Sequence, residues 1–203
     1  GNDPMIVLDD AEVERTVNGT VWAAFQNSGQ SCGGIERIYV QEGIYDEYMA
    51  ALATKVKALR QGVPTAAHNI DLGCMTTDKQ CDLVKQHVAN ALEQGANIAA
   101  QSTAVGELDA RVFHPATVLD NCNHDMLTMQ EETFGPIVGV MKFKTVDEAV
   151  ELANDSNLAL TSSVWTSNSK LGKQIAMRLE SGVTSINDHL MTHGMSETPW
   201  GGW

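Results

Sequence analysis

The sequence predicts an α/β domain in which a mostly parallel sheet is covered by helices on both faces, a three-layer arrangement. Two observations carry that expectation. Short apolar runs of strand length alternate with longer segments whose apolar residues recur every three or four positions, and this succession continues along the chain. The composition, 43% hydrophobic and 19% charged over 203 residues, is that of a globular chain long enough to bury one sizeable core.

The elements follow in order. Residues 5–8 (Met-Ile-Val-Leu), bounded by Pro4 and Asp9-Asp10, read as a strand; from Asp10 onward Val13, Val17, Val21, Ala24 and Phe25 fall on one helical face. Small polar residues over 27–34 break that helix, 35–40 alternate like a strand, and 45–59 return to helical spacing. Residues 60–77 read as mostly loop, 78–94 as a helix ended by Gly95, 96–100 as a short strand and 102–109 as a surface turn. A strand is expected over 112–119 despite Pro115 and another over 137–143 after Gly135-Pro136. A helix over 146–152 has Thr145 as its N-cap. Segments 160–166, 171–179 and 183–186 give strand, helix and strand again. Nothing reads as a linker or repeat, so 1–203 is expected to form a single domain. Ligand-binding loops are expected at the carboxyl ends of the strands.

Charge and cysteine usage narrow the function classes. Lys+Arg number 13 against 26 Asp+Glu, a formal net charge of -13, which excludes a basic face for nucleic acid. No uncharged apolar stretch approaches the ~18 residues of a membrane helix. No signal peptide is read at Gly1-Asn2-Asp3-Pro4, and Cys32, Cys74, Cys81 and Cys122 form no Cys-x-x-Cys pair. The reading is a cytoplasmic protein with reduced thiols and no membrane partner. Both ends read as cut, the first residue not being Met, so a fragment of a longer protein is expected.

Two constellations stand out. Cys32 lies between a helix and a strand, flanked by Ser31 and Gly33-Gly34, so no bulky neighbour need shield its sulfur. The two glycines let backbone N–H groups approach a developing oxyanion. A free Cys also behaves as a small buried hydrophobe, and both readings stay open. Glu131-Glu132-Thr133-Phe134-Gly135-Pro136 places carboxylates before an aromatic, a Gly and a Pro. A carboxylate accepts bonds from both hydroxyls of a ribose and an aromatic packs on a flat ring, while a solvated acidic turn with Phe134 plugging the core is the alternative. His189 and His193, four apart, lack the helical setting and third ligand of a zinc site, so no metal is expected. Cys74, Cys81, Cys122 and His124 read as structural. No Gly-x-Gly-x-x-Gly or Walker loop is present.

Taken together these pieces resemble the NAD(P)-dependent aldehyde dehydrogenases, specifically their nucleophile-bearing catalytic domain, over almost the whole chain. Gly1-Asn2-Asp3-Pro4-Met5-Ile6-Val7-Leu8 is similar to the segment after the family's Glu-Leu-Gly-Gly motif, Gly29-Gln30-Ser31-Cys32 to its nucleophile motif and Glu131-Glu132-Thr133-Phe134-Gly135-Pro136 to its cofactor-ribose motif. Leu160-Thr161-Ser162-Ser163-Val164-Trp165-Thr166, Ser181-Gly182-Val183 with Ile186-Asn187, and Pro199-Trp200-Gly201-Gly202 match later landmarks in order. The resemblance implies that the Cys32 thiolate attacks an aldehyde, that the thiohemiacetal loses hydride to NAD or NADP, and that water releases the acid from the thioester. It implies that Glu132 binds the cofactor ribose, that Phe134 lies beside the nicotinamide, and that Asn187 is a scaffold at a strand end. A homodimer or homotetramer is implied for the complete protein.

The departures are also informative. The family's general-base Glu, its cofactor-binding Rossmann domain with the oxyanion Asn, and its C-terminal pairing strand have no match among these residues, so the resemblance implies that this chain alone is inactive. Asp3, Ala116 and Ala159 depart from the family's usual residues and affect only local loops. Three rivals remain. A cofactor-independent thiol hydrolase or transferase would take His189 or His193 as its base, and a noncatalytic interaction module would keep only the fold. An acylating reductase would pass the acyl group to another acceptor.

Overall fold

The computed structural model describes residues 1–67 and 69–203; His68 and the side chain of His193 lie outside the described residues. The order is β1 (Asp3–Val7), α1 (Val13–Phe25), β2 (Ile35–Gln41), α2 (Tyr45–Ala58), β3 (Arg60–Gly62), α3 (Asp78–Glu93), β4 (Asn97–Gln101) and β5 (Thr103–Val105). There follow β6 (Thr117–Asp120), α4 (Leu127–Gln130), β7 (Ile137–Phe143), α5 (Val146–Asn154), β8 (Thr161–Trp165), α6 (Ser169–Ala176) and β9 (Val183–Ile186). The seven-stranded sheet runs β4-β6-β7-β2-β1-β8-β9, parallel throughout save for antiparallel β4.

Strand periodicity builds the layers. Met5, Val7, Ile38 and Val40 point to the core shared with α1 and α2, whereas Ile6, Leu8 and Tyr39 point to the core shared with α3, α5 and α6. The central strands are therefore buried on both faces, as a parallel sheet under two helical layers requires. Arg37, a fully buried cation, donates from Nε to the Asn2 carbonyl (2.8 Å), from Nη1 to Tyr39 and Leu152, and from Nη2 to the Ala153 carbonyl (3.0 Å) near the end of α5.

Several boundaries differ from expectation. Thr145 caps α5 as predicted, in a capping box with Glu148. Glu12 caps α1 with its own carboxylate, while the Asp10 carboxylate accepts from the Thr166 hydroxyl and the Asn168 N–H. The strand expected over 112–119 begins only at Thr117, since Pro115 has no N–H for a ladder. Arg60–Gly62 and Thr103–Val105, expected as loop and turn, pair as a small parallel sheet of their own.

Candidate active site

The candidate residues lie at the amino ends of the strands, and not at the carboxyl ends where ligand-binding loops were expected. Cys32 precedes β2, Glu132 and Phe134 precede β7, and Gly1 precedes β1, so with these strands adjacent and parallel the three loops meet at the amino ends. The reason is that the Cys32 loop follows a helix, and each helix of such a sheet returns the chain to the amino end of the next strand. A cleft of about 670 Å³ at the opposite end, lined by Asp9, Asp10, Glu12, Glu14 and Glu47, contains none of these residues.

Cys32 is exposed. The chain reaches it through a short 3-10 turn in which Asn27, Ser28 and Gly29 all have positive φ (52°, 56° and 71°), a reversal that the small polar residues after α1 make accessible. Ser28 Oγ donates to the Gly73 carbonyl (3.0 Å) and the Thr76 N–H to Gln30 Oε1 (2.8 Å), which moors the loop to the segment before α3. The terminal ammonium of Gly1 donates to the Cys32 carbonyl (2.8 Å) and to Glu132 Oε1, a pair of contacts that needs more than the single N–H of a peptide nitrogen. The Glu132 side chain keeps 36% of its exposure and Phe134 is half-buried, so both remain within reach of a ligand.

Four side chains that the sequence reading passed over surround the 131–134 loop. The buried Glu36 carboxylate accepts the Thr133 N–H (2.9 and 3.0 Å to its two oxygens), the Phe134 N–H (2.8 Å) and Asn2 Nδ2 (2.9 Å). Gln80 Nε2 donates to the Thr133 carbonyl (2.7 Å), and His87 Nδ1 lies 2.9 Å from Thr133 Oγ1. Burial pushes Glu36 up to about 7, against its hydrogen bonds from Asn2, Thr133 and Phe134 and with the Glu132 charge adding to the rise. Burial likewise lifts Asp3 to about 6, opposed mainly by the Thr161 N–H (2.9 Å). His87 is pulled down by burial, opposed by Glu131 at 3.9 Å. A signal was present: Glu36 and Arg37 are adjacent charges inside an otherwise apolar strand.

The other candidates fall as follows. His189 Nε2 lies 2.9 Å from the Gly33 carbonyl, which can only accept, so that nitrogen carries the proton and is not a base there. The side chain of His193 lies outside the described residues. Cys81 and Cys122 are buried, and burial pushes Cys122 up to about 12. Cys74, expected as structural, is exposed. His124 joins Tyr39 (2.7 Å) and Asp155 (3.1 Å) in a structural network. Asn187 Oδ1 accepts the Thr166 N–H (2.9 Å) and its Nδ2 donates to the Thr166 carbonyl (2.8 Å), a scaffold between β8 and β9. No group of three or more metal-ligating side chains occurs among the described residues, and no helix there is long and apolar enough to cross a membrane.

Residues 1–203 match the family model of the aldehyde dehydrogenase family. The chain is 39% identical over 204 residues to a 4,4'-diapolycopene aldehyde oxidase of Methylomonas sp, covering 100% of this chain and 37% of the relative. It is 38% identical to lactaldehyde dehydrogenase of Escherichia coli (strain K12), covering 92% and 39%. Among solved structures, betaine aldehyde dehydrogenase of Staphylococcus aureus, a point mutant in complex with NAD+ and with a BME-modified cysteine, superposes with a TM-score of 0.93. That pair is 32% identical and covers 100% of this chain and 41% of that one. The chain spans about two fifths of the length of these relatives.

Proposed function

Because the chain belongs to the aldehyde dehydrogenase family, we propose that Cys32 is the nucleophile of an NAD- or NADP-dependent aldehyde dehydrogenase of which these residues form the catalytic domain. The observation that carries this reading is the backbone contact between the loop of Cys32 and the loop of Glu132 and Phe134, Gly29 against Gly135, at the heads of the adjacent parallel strands β2 and β7. It sets the exposed thiol beside a half-exposed carboxylate and aromatic of the types that hold a ribose and pack on a nicotinamide. The donor set fits that cofactor: a carboxylate accepts both hydroxyls of a diol, and Phe134 offers a ring face.

The Cys32 thiolate adds to the aldehyde carbon, and the backbone N–H of Cys32 faces the new oxyanion in the Gly33-Gly34 turn. NAD or NADP held by Glu132 and Phe134 would supply the hydride acceptor for oxidation of the Cys32 adduct to a thioester. Cys32 then leaves as thiolate when water adds to the thioester carbon, and the acid departs. The complete enzyme acts on a small-molecule aldehyde as a homodimer or homotetramer in the cytoplasm, where the four free cysteines stay reduced. The general base and most of the cofactor site are contributed by residues other than these 203, so this chain by itself does not turn over.

Alkylation by iodoacetamide under native conditions, read by peptide mass spectrometry and paired with reduced-nicotinamide absorbance in the complete enzyme across an aldehyde panel, tests the reading. Cys32 is expected to react first, and its modification is expected to abolish cofactor reduction. Full activity with Cys32 alkylated would end the assignment.

A further inference from the structure

Glu36 stands one strand residue beyond the nucleophile loop and has no place in the reaction just described. Its carboxylate is nonetheless the meeting point of three separate segments. Asn2 at the head of β1 donates to Oε2, the Thr133 N–H spans both oxygens and the Phe134 N–H reaches Oε1 at 2.8 Å. Phe134 has φ 49°, a left-handed conformation that bulky side chains rarely adopt and that needs an external constraint to persist. Two consecutive N–H groups directed into one buried anion supply that constraint, because turning Phe134 back to ordinary φ would leave a desolvated carboxylate short of donors. The Asn2 amide extends the clamp by also donating to the Glu131 carbonyl (3.2 Å).

We infer that Glu36 is a positioning residue for cofactor binding, fixing the Glu132–Phe134 loop to the strand that follows Cys32 so that carboxylate, aromatic ring and thiol keep one spacing. This rests on the reading of Glu132 and Phe134 as cofactor contacts. Burial raises the carboxyl to about 7 against its three donors, so these donors are what favour its charged form.

The test compares the complete enzyme with its Glu36→Gln variant, which keeps size but replaces one acceptor oxygen by an NH2 facing existing donors. The dissociation constant for NAD or NADP is expected to rise about tenfold, equivalent to one strong hydrogen bond. The rate of Cys32 alkylation and kcat at saturating cofactor stay within about threefold on the same scale. Cofactor affinity within twofold of the unaltered enzyme, or a fall in kcat with affinity unchanged, overturns the inference. Hydrogen exchange at the Thr133 and Phe134 amides of the unaltered enzyme needs no variant: slow exchange supports the clamp and rapid exchange removes it. An unaltered enzyme that binds neither NAD nor NADP refutes the proposed function itself and takes the inference with it.

Discussion

A β-carbon built on Gly29 would stand 2.1 Å from the carbonyl oxygen of Gly135, so the loop that leads to Cys32 and the loop that carries Phe134 touch backbone to backbone. The φ of Gly29, +71°, adds a second bar to any side chain there. Gly29→Ala is therefore expected to destabilise the protein by about 2–4 kcal/mol, the sum of overpacking and left-handed strain. Urea denaturation of both forms measures it, and a cost below about 1 kcal/mol would mean that the two loops separate easily.

Cys32 is the only thiol in the chain to which the proposed reaction assigns a bond. Cys32→Ala should lower aldehyde oxidation by on the order of a thousandfold or more while the affinity for NAD or NADP changes little, because the proposed cofactor contacts are Glu132 and Phe134 and not the thiol. Steady-state kinetics and cofactor titration separate the two effects. Retention of a tenth of the activity would show that another nucleophile serves.

Cysteine accessibility gives an independent check. Cys122 is buried and raised to about 12 by that burial, and Cys81 is raised for the same leading reason, so both stay thiols at neutral pH. Iodoacetamide at pH 8 should leave both unmodified until denaturant is added, whereas Cys74, being exposed, reacts in the native protein. Native labelling of Cys122 would contradict the packing of the core around β6 and β7.

Asp3 makes stability depend on pH in a definite direction. Its folded value is about 6 against an ordinary 3.8, so between about pH 4 and 6 the folded state holds a proton that the unfolded state has released. The stabilisation is complete below the unfolded value and is lost as pH rises through the folded one. Asp3→Asn keeps an oxygen for the Thr161 N–H and cannot ionise. The wild type should lose up to about 3 kcal/mol relative to this variant between pH 4 and pH 8. Parallel denaturant melts at several pH values show whether the gap widens.

Much of the architecture was legible because it depends on side-chain period. Runs such as 5–8 and 137–143 bury both faces, and Thr145 with Glu148 announces the start of α5. β3 and β5 were not legible, since Arg-Gln-Gly and Thr-Ala-Val carry no alternation and their pairing is purely of backbone. In the site, Cys32 could be singled out by its small neighbours and Glu132 with Phe134 by an unusual acidic and aromatic turn. Glu36 could not, because its partners Thr133 and Phe134 lie 97 and 98 positions away and only the sheet order brings them to it. The end of the sheet at which these loops gather was not legible for the same reason: it depends on connectivity and not on residue type.

Arg37 ties the end of α5 to the head of β1. A helix of nine residues has little persistence of its own, and here its Leu152 and Ala153 carbonyls are held by a guanidinium that also grips the Asn2 carbonyl. Were α5 to peel away, that cation would be left buried with its acceptors gone, a state far costlier than ordinary helix fraying. Helix and central strands therefore open as one cooperative unit, and the strand that follows the Cys32 loop inherits the slow, global opening of the core in place of the fast local breathing usual at a strand end.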